Sequence, residues 1–317
     1  MQKMGTIVAE DADKIRGENE VRALNTMAQS YWRLALTGWT ALLVGSLAMG
    51  AEPAASNVGS TREGIVALAL DAGSHSLLKA YPRALYLSHN EGRDWAPISL
   101  PRTIERGRIS SVAISAHSAT LLYVAGPGFG VLRSANGGRS WDAKNGGLPS
   151  NAVAALTLHI DQPDTLYAYL PRHGIFRSED AGDHWRLMDA GPRAKILQFV
   201  HSNMPGSMQT GWLFAATTTG VGRSMDCFCG WRDAGGLGEP VRVVAYDPSE
   251  PRRVYAAAAD GLFVSANGGE QWSRVPSPRG GMTALVVAST GVVFCAFGDG
   301  ELFRSADHGN SWIRVDA

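Results

Sequence analysis

One octapeptide pattern, Ser-x-Asp/Asn-x-Gly-x-x-Trp, recurs along this 317-residue chain, and its spacing constrains the architecture more than any other feature. The copies begin at Ser88 (SHNEGRDW), Ser134 (SANGGRSW), Ser178 (SEDAGDHW), Ser224 (SMDCFCGW), Ser265 (SANGGEQW) and Ser305 (SADHGNSW). A chance match has a frequency on the order of 10⁻⁵ per position, so six copies in near-constant phase mark a true repeat. The fourth copy departs from the pattern, with Phe228 in the glycine position.

Each interval has the same inner order. In the second, VAISAH, LLYVAG and GVLRS precede the motif and SWDAK follows it. These are short β-branched and aliphatic runs separated by Gly, Pro and Ser, hence strands. Four strands per unit of about forty residues is the period of a β-propeller blade, and no sustained helical period follows residue 62. The expected fold is therefore all-β, a six-bladed propeller of four-stranded antiparallel blades over residues 62–317. Ser and Asp/Asn side chains hold the hairpin between the third and fourth strands by bonding nearby N–H groups, and the glycine supplies a positive φ. The pairs assigned that role are Ser88 with Asn90, Ser134 with Asn136, Ser178 with Asp180, Ser224 with Asp226, Ser265 with Asn267 and Ser305 with Asp307. Trp95, Trp141, Trp185, Trp231, Trp272 and Trp312 are assigned to covering the blade junctions. Residues 65–71 read as a first strand and 311–316 as a fourth, so the ring closes by packing, without a blade shared between the termini.

The N-terminus reads differently. Residues 34–51, LALTGWTALLVGSLAMGA, carry no charge, follow Arg33 and end in small residues, the layout of a secretory signal. Met27 then serves as the start, residues 1–26 as a disordered or over-extended leader, and 52–61 as a linker. An uncleaved anchor, allowing membrane association, is the alternative reading of 27–51. Either places the propeller outside the cytoplasm, periplasmic or otherwise extracytoplasmic. The formal net charge is zero, which removes any global argument for a nucleic-acid partner.

The repeats resemble the Asp-box (BNR-repeat) propellers. That superfamily contains sialidases, xyloglucan-cleaving glycosidases, the sortilin ectodomain and the photosystem II stability/assembly factors. The "RS(A/E)(D/N)xGxxW" form, in an exported single propeller, looks most like the assembly-factor branch. That resemblance implies a non-catalytic binding chaperone of membrane complexes that docks through an arginine-rich face. Fold alone does not settle function.

The sialidases' early Arg-Ile-Pro signature is missing, and the nearest text is Tyr81-Pro82-Arg83. Arg133, Arg177, Arg223 and Arg304 recur just before the motif serine and read as repeat-bound third-strand positions rather than a convergent triad. A glycosidase, the alternative function, needs two facing carboxylates. Glu105, Glu239, Asp260 and Asp299 are loop candidates, although Asp260-Gly261 and Asp299-Gly300 read first as hairpin turns. No catalytic residue, cofactor or metal is assigned. His75, His117 and His201 are expected in solvated loops after first strands. Cys227-Phe228-Cys229 has three readings: plain replacement of turn residues, which is preferred, a small-ring disulfide, or a metal site with outside ligands. Cys295 reads as a buried thiol.

Sorting loops by face concentrates the charges. The second-to-third-strand hairpins and the blade-to-blade connections share one face, which collects Arg83, Arg102, Arg106, Arg108, Arg172, Arg193, Lys195, Arg242 and Arg279. The Asp-box face collects Glu91, Asp94, Asp161, Asp164, Glu179, Asp180, Asp183, Asp247 and Glu250. Several arginines follow a proline, as in Pro101-Arg102, Pro171-Arg172, Pro192-Arg193 and Pro278-Arg279, which limits the ordering cost of binding. The expected partner is an acidic protein surface, part of a membrane complex.

Overall fold

The computed structural model describes residues 63–71, 76–207 and 211–315. The readings made for the N-terminal extension, the apolar segment and the linker, and for His75, lie outside the described residues.

Six antiparallel sheets of four consecutive strands each form the ring. Their first strands, Ala67–Leu70, Ser111–Ser115, Ala155–Leu158, Ile196–Ser202, Val241–Tyr246 and Met282–Val287, surround the centre. The second strands are the most thoroughly buried. Leu166–Leu170, Val254–Ala258 and Val293–Phe297 have every residue in the core, because both faces of each sheet meet a neighbouring blade. Fourth strands are short and exposed, down to two residues at Asp142–Ala143 and Ile313–Arg314. Among the described residues the ring closes as expected, since β-strands of the first and last blades belong to separate sheets. The Thr283 hydroxyl donates to Ile65 O across the seam at 2.6 Å. Gly64 lies so close to Gly298 that a Cβ would sit 1.8 Å from its carbonyl oxygen.

Five Asp boxes form one hydrogen-bonding unit. In blade 5, Ser265 Oγ accepts the N–H groups of Asn267 (3.3 Å) and Gly269 (2.8 Å) and donates to Asn267 Oδ1 (2.9 Å), which accepts the Gln271 N–H (3.0 Å). The serines of blades 1, 2, 3 and 6 repeat the bond to the glycine N–H at 2.8 Å. Their partners repeat the second bond: Asn90 accepts the Asp94 N–H at 2.9 Å, Asn136 that of Ser140 at 2.9 Å, Asp180 that of His184 at 2.9 Å, and Asp307 that of Ser311 at 2.8 Å. The glycine is held at positive φ, 83° for Gly269.

Asn90 and Asn136 make a side-chain bond besides the backbone ones. Asn90 Nδ2 also donates to Asp94 Oδ2, and Asn136 Nδ2 to the Ser140 hydroxyl, both at 2.8 Å. Neither side chain is part of the core, since Asn136 is exposed and Asn90 half-buried. An amide has a donor that a carboxylate lacks, so these two boxes tie a side chain as well as the backbone. Blade 4 breaks the unit altogether: Ser224 Oγ donates to Met225 O, and Phe228 is forced to φ 56°.

The motif tryptophans join neighbouring blades. The indole N–H of Trp141 donates to Ser99 O, that of Trp185 to Lys144 O, that of Trp272 to Ala234 O, and that of Trp312 to Pro276 O. Trp231 donates instead to the Asp189 carboxylate at 2.8 Å. Each bond reaches the fourth-strand region of the preceding blade, or the segment just beyond it, so these residues are consumed by the scaffold. Trp95 packs with Val315 at the seam.

Ser265→Ala should therefore lower unfolding free energy by about 2–3 kcal/mol, since it orphans two backbone N–H groups beside a buried hydroxyl site. Ser224→Ala, which loses one local bond, should cost about 1 kcal/mol or less. Urea midpoints of the two variants check this. Equal losses would mean that the box network contributes nothing particular.

Candidate functional site

The two faces sort as the loop classes require. The Ile109 N–H donates to Pro82 O, and Gly128 N–H to Asn151 O, so second-to-third-strand hairpins lie against blade-to-blade connections. A 3-10 turn, Arg102–Arg106, buries Ile104 and leaves Arg102 and Arg106 outside. All nine basic residues assigned to this face are exposed. Among the described residues, only Arg279 of these has an acidic partner. It is held by Asp299 and Glu301 and stacks over Phe297, 4.2 Å from the ring centroid. Asp260 on this face is paired with Arg274 at 3.5 Å.

The Asp-box face is different. Glu91 binds Arg304 at 3.1 Å, Glu179 binds Arg177 and Arg186, Asp183 binds Lys144, and Asp247 and Glu250 share Arg253. Asp180 is held well below the usual carboxylate range, at about 2, chiefly by the backbone N–H of His184. A disc with two opposite charged faces was the expectation. Among the described residues, five of the nine acids named for the Asp-box face are in ion pairs with Lys or Arg, whereas eight of the nine basic residues named for the other face have no acidic partner. Arg177, Arg223 and Arg304 point to neighbouring loops, with Arg223 reaching Gly268 O and Glu270, and they do not converge.

The first strands enclose a channel of about 460 Å³ with mostly aliphatic walls. Its ionisable wall residues among those described are His159, His201, Tyr246 and Arg242, the last standing exposed at the start of its strand. No Asp or Glu belongs to the described wall, so the facing carboxylates that hydrolysis of a glycoside needs are not found there.

At the Asp-box end of the channel, blades 3 and 4 bring together a cluster that sequence spacing did not reveal. His159, His201 and Asp226 have side chains without solvent exposure. The imidazoles stack with centroids 3.8 Å apart, and their Nε2 atoms face Asp226 Oδ2 at 3.8 and 4.0 Å. His201, expected in a solvated loop, is thus buried within its strand. It lies at the strand's inner end, where blades 3 and 4 meet. Asp226, expected to hold the fourth box, is turned inward instead, because Phe228 displaces the glycine on which the box geometry depends. Tyr167 lies alongside, and its buried hydroxyl has no hydrogen-bond partner among the described residues.

These three ligand-type atoms lie within 4.8 Å of one another, close enough to suggest a metal site. The hydrogen bonds argue otherwise. His159 Nδ1 accepts the N–H groups of Asp161 and Gln162, both at 3.1 Å, and His201 Nδ1 accepts that of Ile160 at 3.3 Å. A neutral imidazole accepting at Nδ1 carries its proton on Nε2. A metal-ligating histidine needs the reverse arrangement, with the distal nitrogen donating. The cluster therefore presents N–H groups to a carboxylate. His159 has taken over a turn role that Asp247 fills in blade 5 by accepting the same i+2 and i+3 N–H groups. Burial, followed by the neighbouring His201, pushes the His159 pKa down to about 3, and burial also lowers that of His201.

Cys227 and Cys229 are joined by a disulfide with Cα atoms 5.5 Å apart. Plain replacement of turn residues, the preferred sequence reading, is corrected on that point: once the box bonds are lost, the two side chains meet across Phe228. Cys295 is buried, as expected.

No protein-family model matches the chain, and no curated protein matches it. The chain is a six-bladed β-propeller with Asp-box repeats, consistent with the Asp-box superfamily. Among solved structures it is similar to the GH74 enzyme of Niastella koreensis, with TM-score 0.57, 19% identity, and coverage of 80% of this chain and 47% of that one. The GH74 xyloglucanase of Xanthomonas campestris gives TM-score 0.57 and 18% identity, again with 80% and 47% coverage. The chain thus spans about half the length of these enzymes. It is also similar to a structure of YCF48 bound to a D1 peptide, with TM-score 0.53, 18% identity, and coverage of 80% of this chain and 82% of that one.

Proposed function

We propose that this propeller is a non-catalytic docking module that binds an acidic protein surface through its arginine-bearing face. It serves there as an assembly or stability factor for a membrane complex outside the cytoplasm. The observation that carries this reading is the set of exposed cations without acidic partners among the described residues: Arg83, Arg102, Arg106, Arg108, Arg172, Arg193, Lys195 and Arg242. On the opposite face Arg177, Arg186, Arg253 and Arg304 have acquired acids, while Arg93, Arg139 and Arg252 are exposed there without one among the described residues. A field of one sign left unpaired attracts and orients an oppositely charged partner.

Two further observations support the reading. The similar YCF48 structure, matched over most of both chains, was solved bound to a peptide. The Cys227–Cys229 disulfide suits an oxidising compartment, in line with the apolar N-terminal segment. The experiment is affinity capture of the tagged protein from gently solubilised membranes at low and high salt. A defined acidic complex retained at low salt and released at high salt supports docking. Retention of nothing at either salt ends this reading.

A further inference from the structure

The disulfide of blade 4 poses a question that docking does not answer. In the other five boxes the hairpin is held by the serine and its Asn or Asp partner. In blade 4 that network is gone, and a covalent bond spans one residue in its place. A structural staple is the ordinary explanation for a disulfide in an exported protein. Yet the stabilisation from cross-linking shrinks with the size of the loop closed, and two cysteines separated by one residue close nearly the smallest loop available.

Access points the same way. Cys229 is exposed and Cys227 half-exposed. Exposed disulfides are the ones a thiolate can reach, and they are the labile or reactive class. The third cysteine is the opposite case. Cys295 is fully buried in the second strand of blade 6, and burial pushes its thiol well above the ordinary range. The chain therefore holds one reachable pair and no internal thiol able to scramble it while folded. The pair also lies on the Asp-box face, away from the cationic surface, so exchange and docking can proceed independently.

From these observations we infer that Cys227–Cys229 is a thiol–disulfide exchange site whose co-reactant is a thiol, either a small molecule or a cysteine of another protein. An incoming thiolate attacks the exposed Cys229 sulfur. The bond to Cys227 breaks, Cys227 leaves with the electron pair as a thiolate, and Cys229 holds a mixed disulfide. A second thiolate then attacks the incoming sulfur and releases the oxidised thiol as its own disulfide. Cys229 departs as a thiolate, and both cysteines take up protons. Two electrons pass from two thiols to the protein. The reverse sequence oxidises the dithiol.

The test uses the full chain in glutathione buffers of graded reduced-to-oxidised ratio at neutral pH, followed by acid quench, alkylation and mass analysis. The expected result is reversible gain of two alkylated sites, Cys227 and Cys229, while the near-ultraviolet circular dichroism of the propeller persists. Cys295 should react roughly a hundredfold more slowly, because it is exposed only by opening of the fold. In buffers rich in oxidised glutathione, the Cys227→Ser variant, which lacks the thiolate that displaces glutathione when the dithiol is oxidised, should retain glutathione on Cys229. Two results would overturn the inference. One is a disulfide that survives millimolar dithiothreitol until denaturant unfolds the chain. The other is loss of the folded signal in step with reduction, which would make the pair a staple.

Discussion

Reversing charge on the cationic face, with Arg108→Glu, Arg193→Glu and Arg242→Glu combined, should weaken partner capture at low salt by roughly a hundredfold. Each reversal removes an attraction and adds a repulsion, worth about 1 kcal/mol at an exposed interface, and three together give that loss. All three side chains are exposed and make no ion pair with a described acid, so the fold should not suffer. The informative control is the same net charge change on the opposite face, Arg93→Glu, Arg139→Glu and Arg252→Glu, also at exposed positions. That variant should bind within about twofold of the parent, since removing an exposed charge away from an interface changes little. Equal loss in both triples would assign the effect to overall charge. Full binding by the first triple would remove the basis for docking.

Mild acid should destabilise the propeller through His159 and His201. Both imidazoles are kept neutral by burial, with His159 lowered from the usual 6.5 to about 3. Unfolded, each takes up a proton near pH 6.5. The stability contributed by the neutral forms is therefore complete above that pH and is lost as pH falls towards about 3. The proton withheld from His159 contributes about 1.4 kcal/mol per pH unit over this window, and burial of His201 acts in the same direction. Two pH units on His159 alone would consume about 3 kcal/mol of an ordinary domain's 5–15 kcal/mol.

His159→Asn isolates the effect. An Asn side-chain oxygen can accept the turn N–H groups as Asp247 does in blade 5, but it binds no proton. The slope of unfolding free energy between about pH 6 and pH 4 should fall by about 1 kcal/mol per pH unit, whatever the variant's stability at pH 7. Urea midpoints across that range measure it. An unchanged slope would mean that the histidines titrate normally.

The sequence carried the repeat, its six copies and the strand order because Asp-box chemistry is local. Ser265 and Asn267 satisfy N–H groups within a few residues of themselves, so the pattern is legible as text. The further bonds from Asn90 and Asn136 to side chains were less legible, because the octapeptide leaves the accepting position, Asp94 or Ser140, free to vary. The same locality explains why the cations could be assigned to a face: in a four-stranded antiparallel blade, loop class decides which end a residue occupies. Phe228 in the glycine position of the fourth motif was also visible, although Ser224 and Asp226 were still expected to hold that box. What the phenylalanine does there was not visible.

Tertiary structure decided the rest. Packing of the blades set Arg279 against Asp299 and Glu301 while leaving Arg108 and Arg193 without acids among the described residues. It turned Asp226 from a turn residue into the buried neighbour of two histidines drawn from different blades. The Cys227–Cys229 disulfide, formed across Phe228 where the box bonds are lost, settles what sequence alone left as three outcomes. Turn geometry is settled by backbone groups within one octapeptide. Ion pairing, burial and protonation depend on which surfaces meet when one blade packs against the next.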